Sequence, residues 1–283
     1  MAKRCTKGKS CGATCIDARE RCELELGPLV SPSLSKVTNM LESRKGGTTT
    51  GAAISSAPLT QPTPTRDSLP EYWKERADMG ERKYDSKVEK NSVTHTGDRP
   101  PALTEKMKPY TRLSSDEKAS VQMYGAAGGK EELYGDLNMK LRTGQSPPDD
   151  KKEAVSFVEQ NLTKALAKLP DSPGEYNRAV SGGGAQALSG IKPGDIIEDK
   201  GFGSYSNRGG SDISPFLSRN TDNIVMNVNA KRFKNISPVT PYDEGEHLST
   251  PGTKLQLTRI DPKGTWSRKL NDYVPTYFFE EVQ

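Results

Sequence analysis

Pro241-Tyr242-Asp243-Glu244-Gly245-Glu246-His247-Leu248, continued by Ser249-Thr250-Pro251-Gly252-Thr253-Lys254-Leu255-Gln256-Leu257, decides how the second half of this chain folds. Pro251-Gly252 is a turn signal, and the residues after it alternate apolar and polar with Leu255 and Leu257 on one side, the pattern of a half-buried strand. If the chain is extended at the glutamates too, Glu244 and Glu246 point to the same side and both carboxylates face one pocket. Two carboxylates so placed can divide two chemical tasks.

Strand patterns continue upstream. Tyr176 to Val180 reads as a strand, Ile191 to Asp199 as a turn with a short strand, and Phe202 to Ser206 as another. Asn223 to Asn229 places Ile224, Met226 and Val228 on one face, and Tyr277 to Val282 is expected to close the sheet at its edge. Ahead of Pro173 the period is helical. Ser114-Ser115-Asp116-Glu117 is a capping box opening a helix through Tyr124, which Gly125 and Gly128-Gly129 stop. A second helix is expected from Lys130 to Arg142, with Leu133, Leu137 and Leu141 on one stripe and Tyr134 and Asn138 as an i, i+4 polar pair beside it. A third runs to Leu169 and buries Val155, Val158, Leu162, Leu166 and Leu169. Helices first and strands afterwards is an α+β order, and the lack of strand-helix alternation argues against a doubly wound nucleotide fold.

The chain has 283 residues, 32% hydrophobic and 28% charged, with the polar excess unevenly spread. Few apolar periodic runs occur in roughly the first 110 residues, too few to offset the entropy of ordering them. The chain therefore divides into a cysteine-rich segment 1–25, a flexible or weakly helical linker region 26–111, and a domain at 112–283. Gly46 to Pro64 is rich in Thr, Ser, Ala and Pro, as linkers are. Residues 66–112 are highly charged with Trp73 and Tyr84 as isolated aromatics, and are expected either to be disordered or to pack as a short helical arm on the domain.

A net charge of +4 is a solubility feature first, and too small to make nucleic acid the expected partner. No run approaches the roughly 18 apolar residues of a membrane span, and the basic start lacks the apolar core of a signal peptide. Cys5, Cys11, Cys15 and Cys22 are spaced C-x5-C-x3-C-x6-C. They can hold a structural zinc, form two disulfides or stay free, and only Cys11 and Cys15 approach metal-ligand spacing. Neither histidine, His95 or His247, lies near them in sequence to activate a thiol.

Three features of the strand-rich half occur in a telling order: Arg178 in Tyr176-Asn177-Arg178-Ala179, then Phe202-Gly203-Ser204-Tyr205-Ser206, then Glu244-Gly245-Glu246 with its Pro-Gly-Thr-Lys strand. This order resembles the Arg-Ser-Glu class of mono-ADP-ribosyltransferases, the class of clostridial binary toxins, vertebrate ecto-enzymes and phage-encoded transferases. Tyr134, Asn138 and Leu141-Arg142 look like that family's upstream helix. The resemblance covers about residues 112 to 283. It departs at Tyr205, where the family commonly has Thr, and at His247, where a β-branched apolar residue is usual.

The resemblance implies an ADP-ribosyltransferase fold, N-terminal helices packed on a mixed, mainly antiparallel two-sheet β core, preceded by a largely disordered region. It implies NAD+ as co-substrate and a protein with an accessible arginine as partner, with no membrane, in a host cytoplasm or carried in a virion. Glu246 takes the role of the carboxylate beside the ribose, where positive charge grows as the nicotinamide bond breaks. Ser204 holds Glu246, and Arg178 binds the pyrophosphate as a forked cation, with Arg142 and Arg219 as further candidates. Tyr134, Asn138 and Phe202 are expected at the same cleft. Glu244 would orient an acceptor guanidinium and take its proton, which points to arginine, with Tyr242 placed to pack against it. Water as acceptor gives an NAD+ glycohydrolase instead, and an inert transferase-like domain in a phage structural protein is the alternative outside enzymes.

Overall fold

The computed structural model describes residues 64–92, 104–126, 132–242 and 244–283, and the backbone of two short antiparallel strands, β1 (Lys9–Cys11) and β2 (Thr14–Ile16). The expectations for the cysteine side chains and for the linker stretch Gly46 to Pro64 fall outside the described residues.

Residues 71–92 take the second of the two forms expected of them, a helical arm packed on the domain, and it is long rather than short. They form a 22-residue helix, α1 (Glu71–Ser92), that buries Trp73, Ala77, Gly80 and Tyr84. That stripe has one inward residue per turn, two of them Ala and Gly, so its apolar content is low although its packing is close. The Trp73 indole donates to the Asp150 carbonyl at 2.7 Å and the Tyr84 hydroxyl to the Tyr110 carbonyl at 3.1 Å. Arg66, just ahead of the helix, bonds Asp78 and Glu81 of α1 and Asp116 of the helix beneath. Where the linker region is described, then, it is part of the helical layer. Charged residues cover only its outer face.

A short helix α2 (Lys108–Thr111) leads to α3 (Ser115–Gly125). The capping box at its start is complete: the Glu117 N–H donates to Ser114 Oγ at 3.3 Å, and the Ser114 N–H donates to Glu117 Oε2 at 2.8 Å. α4 (Tyr134–Thr143) begins later than the sequence suggests and ends at Gly144 in the left-handed conformation, φ 76°. α5 (Lys152–Lys168) buries Val155, Val158, Leu162 and Leu166, with Leu169 just beyond it. The helices share one apolar cluster with Phe202, Ile236, Val239 and Leu248 from the sheet side.

The strands are β3 (Gly174–Ser181), β4 (Ile196–Asp199), β5 (Gly203–Ser206), β6 (Asn223–Ala230), β7 (Lys234–Asn235), β8 (Glu246–Ser249), β9 (Thr253–Ser267) and β10 (Asp272–Val282), with a short helix α6 (Gly183–Leu188) after β3. They pair in the order β4-β9-β10-β6-β3-β5-β8-β7. Only the β10–β6 pair is parallel, so the sheet is mixed and mainly antiparallel. Where two sheets are expected, hydrogen bonding runs through all eight strands. The join between β3 and β5 is reduced to one register pair, Asn177 opposite Ser206.

β10 does not close the sheet at its edge. It lies between β9 and β6, and buries Val274, Thr276, Tyr277, Phe279 and Glu281. A long β9 with a bulged register allows this, since it can pair along the whole of β10 on one side and with β4 on the other. The β8–β9 turn, Thr250 to Thr253, carries the chain from one half of the sheet to the other, because β8 and β9 do not pair with each other. Ile224, Met226 and Val228 face one apolar cluster as expected, while Val225 faces another with Ile213, Leu217 and Val274. No helix among the described residues is long and apolar enough to cross a membrane.

Tyr84→Ala tests the place of α1 in the core. Loss of a fully buried ring and its hydrogen bond is expected to cost about 3–5 kcal/mol in urea unfolding. A tyrosine on a linker would cost within about 0.5 kcal/mol, and that result would contradict the packing described.

Candidate active site

The site is organised around an acid that the sequence reading passes over. β4 ends at Asp199, which is 1% exposed. Its carboxylate accepts Arg142 Nε at 2.8 Å and Nη2 at 3.0 Å, and Arg178 Nη1 at 3.2 Å. The Gly201 N–H adds a fourth bond at 3.0 Å. Burial on its own raises a carboxyl pKa, but the two guanidinium groups and these hydrogen bonds hold Asp199 below the usual aspartate value. Two guanidinium charges against one carboxylate leave a surplus positive charge.

The segment from Gly201 to Ser204 is fixed from the helix side. Asn138 on α4 accepts the Phe202 N–H at 2.7 Å and donates to the Tyr124 hydroxyl at 3.3 Å. Tyr124 in turn donates to the Phe202 carbonyl at 3.2 Å, and its ring meets those of Tyr134 and Phe202 edge-on. Burial pushes the Tyr124 phenol well above its ordinary pKa, so it stays a donor. The backbone passes so close to α4 that a Cβ on Gly201 would lie 2.5 Å from Asn138 Oδ1. Only glycine fits there.

β5 then presents Ser204, whose hydroxyl donates to Glu246 Oε1 at 2.6 Å. Glu246 stands opposite Ser206 in the β5–β8 register, so its side chain leans along the strand to reach Ser204. It is 8% exposed, and Ser204 is half-buried. Arg178, 7% exposed, approaches from β3, its guanidinium carbon 5.5 Å from the centre of the Tyr205 ring. Burial raises the Tyr205 phenol to about 12, which keeps it neutral beneath the arginine.

Glu244 and Glu246 do not share a strand. Gly245 has φ 64°, in the left-handed region, so the chain is not extended between them and the same-side expectation fails. Glu246 opens β8, whereas Glu244 sits half-buried on the preceding loop, its carbonyl accepting the Ser206 hydroxyl at 2.6 Å.

Of the residues expected at the site, the structure brings together Arg142, Arg178, Asn138, Ser204 and Glu246, with Tyr134 beside Tyr124. Phe202 lies just ahead of β5, but its ring is fully buried among the helices and offers no surface to a ligand. Asn138 is likewise wholly buried and braces the β5 backbone rather than facing a cleft. Arg219 is exposed on the loop before β6 and joins none of these contacts. Among the described residues no group of three or more His, Cys, Asp or Glu is placed to hold a metal.

The two departures from the family pattern, Tyr205 and His247, face each other across β5 and β8. His247 lies 4.3 Å from the Tyr176 ring, Tyr205 lies 4.6 Å from Phe233, and Phe233 stacks on Tyr176. Burial lowers the His247 pKa, and its Nδ1 lies 2.9 Å from the Gly245 carbonyl. The pair fills one aromatic cluster on the side of the sheet away from Ser204 and Glu246.

No family model matches the sequence, and no curated protein matches it. Solved structures do share its fold. The type III effector XopAI from Xanthomonas axonopodis pv. citri aligns with TM-score 0.53 at 14% identity, over 91% of this chain and 96% of that one. The ADP-ribosyltransferase Vis of Vibrio splendidus, in complex with agmatine, aligns with TM-score 0.50 at 16% identity, over 80% and 89%. The ADP-ribosyltransferase HopU1 of Pseudomonas syringae pv. tomato DC3000 gives TM-score 0.50 at 16%, over 74% and 97%. The chain has the ADP-ribosyltransferase fold.

Asp199→Asn should leave two buried guanidinium groups without their counter-charge and cost about 3–5 kcal/mol near neutral pH. Because the folded carboxyl is depressed, its contribution is complete above the unfolded aspartate value of about 3.9 and disappears as pH falls through the folded one. Urea unfolding of both proteins across pH should therefore converge in acid. A gap that stays constant down to about pH 2 would rule out the clamp as a charge interaction.

Proposed function

We propose that this chain is a mono-ADP-ribosyltransferase of the Arg-Ser-Glu type, moving ADP-ribose from NAD+ to an arginine side chain of a target protein and releasing nicotinamide. The observation that carries the reading is the Ser204–Glu246 hydrogen bond of 2.6 Å, on adjacent strands, with the buried cations Arg178 and Arg142 tied to Asp199 behind it. A carboxylate locked in one rotamer at a half-buried site suits a developing oxocarbenium charge, because it needs no reorganisation as that charge appears. The cation surplus at Asp199 suits a pyrophosphate, and Arg178 is the candidate to meet it.

The roles follow from this arrangement. The bond between nicotinamide nitrogen and ribose C1′ breaks, and its electron pair leaves with nicotinamide. Glu246 stabilises the positive sugar, with Ser204 holding it. A guanidinium nitrogen of the acceptor then bonds to C1′, and the proton it loses passes to Glu244. Arg142, Asn138 and Tyr124 are positioning residues, acting through Asp199 and the Phe202 backbone. The choice of arginine rests on Glu244 and is supported by Vis, a protein of similar fold whose structure holds agmatine, a small guanidine. We place the activity in a host cytoplasm, by likeness to the effector XopAI.

NAD+ glycohydrolase activity is the second reading. It is favoured by the position of Glu244, which stands off the strand bearing Glu246 and is not tied to it by the geometry that a shared strand would impose.

Labelled NAD+ with agmatine as acceptor, and mass spectrometry of any modified protein, tests both readings. Glu246→Gln should lower transfer and NAD+ hydrolysis together by about 100-fold or more. Glu244→Gln should abolish transfer to agmatine and leave hydrolysis largely intact. Equal loss of both activities in Glu244→Gln would refute the division of roles. No labelled acceptor and no free ADP-ribose from the unaltered protein would refute the enzyme.

A further inference from the structure

Between the two glutamates the chain turns on Gly245, whose φ of 64° lies in the region that glycine enters most freely. A residue with that freedom is a hinge unless its neighbours hold it, and this hinge sets where Glu244 stands relative to Glu246. The two glutamates are held by different partners. Glu246 is tied by the Ser204 hydroxyl at 2.6 Å, by the β5–β8 ladder, and through its carbonyl, which accepts the Ile236 N–H at 3.1 Å. Glu244 precedes β8, so its position depends on what fixes the turn.

The turn is held through its carbonyls. The Ser206 hydroxyl donates to the Glu244 carbonyl at 2.6 Å, and the Asn207 N–H donates to the Gly245 carbonyl at 3.1 Å. His247 Nδ1 lies 2.9 Å from the same Gly245 carbonyl. A carbonyl oxygen can only accept, so Nδ1 carries the proton. Burial keeps the ring's pKa below its ordinary value, and in the neutral ring the Nδ1–H form leaves Nε2 without a proton.

The ring is itself immobilised. His247 is 3% exposed and lies 4.3 Å from the Tyr176 ring, whose hydroxyl donates to the Ser172 carbonyl at 2.9 Å. Packing alone does not call for a histidine, since a phenyl ring would fill the space beside Tyr176 without burying a polar nitrogen. Nor does the Gly245 carbonyl lack a donor, because the Asn207 N–H supplies one. What the second donor adds is direction. Two donors on one carbonyl fix the plane of the Gly245–Glu246 peptide, and with it the angle at which Glu244 leaves the turn.

We propose that His247 is a positioning residue for the acceptor step, its Nδ1–H holding the Gly245 turn so that Glu244 can take the proton of an incoming guanidinium. The inference rests on the proposed transfer to arginine with Glu244 as proton acceptor. It adds that the preference for arginine over water is set by a histidine on the far face of the sheet. Cleavage of NAD+ at Glu246 does not depend on it, because Ser204, the ladder and Ile236 hold that residue.

Two variants of the full chain separate the donor from the ring. His247→Phe keeps an aromatic ring against Tyr176 and lacks the donor, whereas His247→Asn places an N–H donor on the same Cγ and lacks the ring. With labelled NAD+, His247→Phe should lower transfer to agmatine relative to NAD+ hydrolysis by about five- to tenfold, with hydrolysis itself within about twofold of the unaltered protein. His247→Asn should recover most of that ratio, although the space left by the ring makes it the less stable variant in urea. A purely structural histidine predicts the reverse order, with His247→Phe the better variant in both respects. Long-range proton–nitrogen NMR reads the tautomer independently of activity, the His247 signal being identified by its absence from His247→Phe, and Nδ1–H is expected. An Nε2–H tautomer, or a ratio in His247→Phe that is unchanged or falls no further than in His247→Asn, overturns this inference and leaves arginine transfer standing. Hydrolysis with no labelled agmatine from the unaltered protein refutes arginine transfer whatever the tautomer, and the positioning role falls with it.

Discussion

The buried carboxylate of Asp199 is the constraint on which the site depends. Its side chain takes Arg142 from the helical layer and Arg178 from β3, and its backbone carbonyl accepts the Gly252 N–H of the β8–β9 turn at 2.8 Å. One residue thus fixes a helix, a central strand and the turn that follows Glu246. Two guanidinium groups packed this closely would repel each other without it, and at this depth water cannot screen them. The acid makes the cation pair tolerable.

A second constraint is the narrow join between the two halves of the sheet. With one register pair between β3 and β5, the strands bearing Arg178 and Ser204 are held less by their ladder than by what crosses it. Those crossings are the Asp199 clamp, the Asn138–Tyr124 bracket on the Phe202 backbone, and the aromatic cluster of Tyr176, Tyr205, Phe233 and His247. The helices therefore do more than cover a sheet face. They set where β5 lies and so where Ser204 meets Glu246.

Tyr205 and His247 set an aromatic layer against the polar centre, Tyr205 beneath the Arg178 guanidinium and His247 against Tyr176. Period-2 alternation sends them to the face opposite Ser204 and Glu246, and the antiparallel register places them opposite each other. Their rings meet Phe233 and Tyr176, which stack on each other, so both belong to one cluster. Read singly along the chain, each looks like a defect in the motif.

The sequence by itself determined the α+β order, the capping box at Ser114, the apolar face of α5 and most strand positions, because these depend on local periodicity or on residue types at short spacing. Arg178, Ser204 and Glu246 were legible in it only as candidates, by their order along the chain, and the structure adds that Ser204 and Glu246 are hydrogen-bonded across 42 residues. The sequence left α1 open between disorder and a short helical arm, because the inward stripe is partly Ala and Gly and so too faint for a hydrophobic pattern, and it hid Asp199, one acid in a charged run whose partners lie 21 and 57 residues away. Only the tertiary structure decided that β10 is interior, that Phe202 and Asn138 are buried supports, and that Gly245 breaks the strand between the glutamates. Each of those depends on what approaches from elsewhere in the chain, or on a backbone angle that glycine permits without requiring.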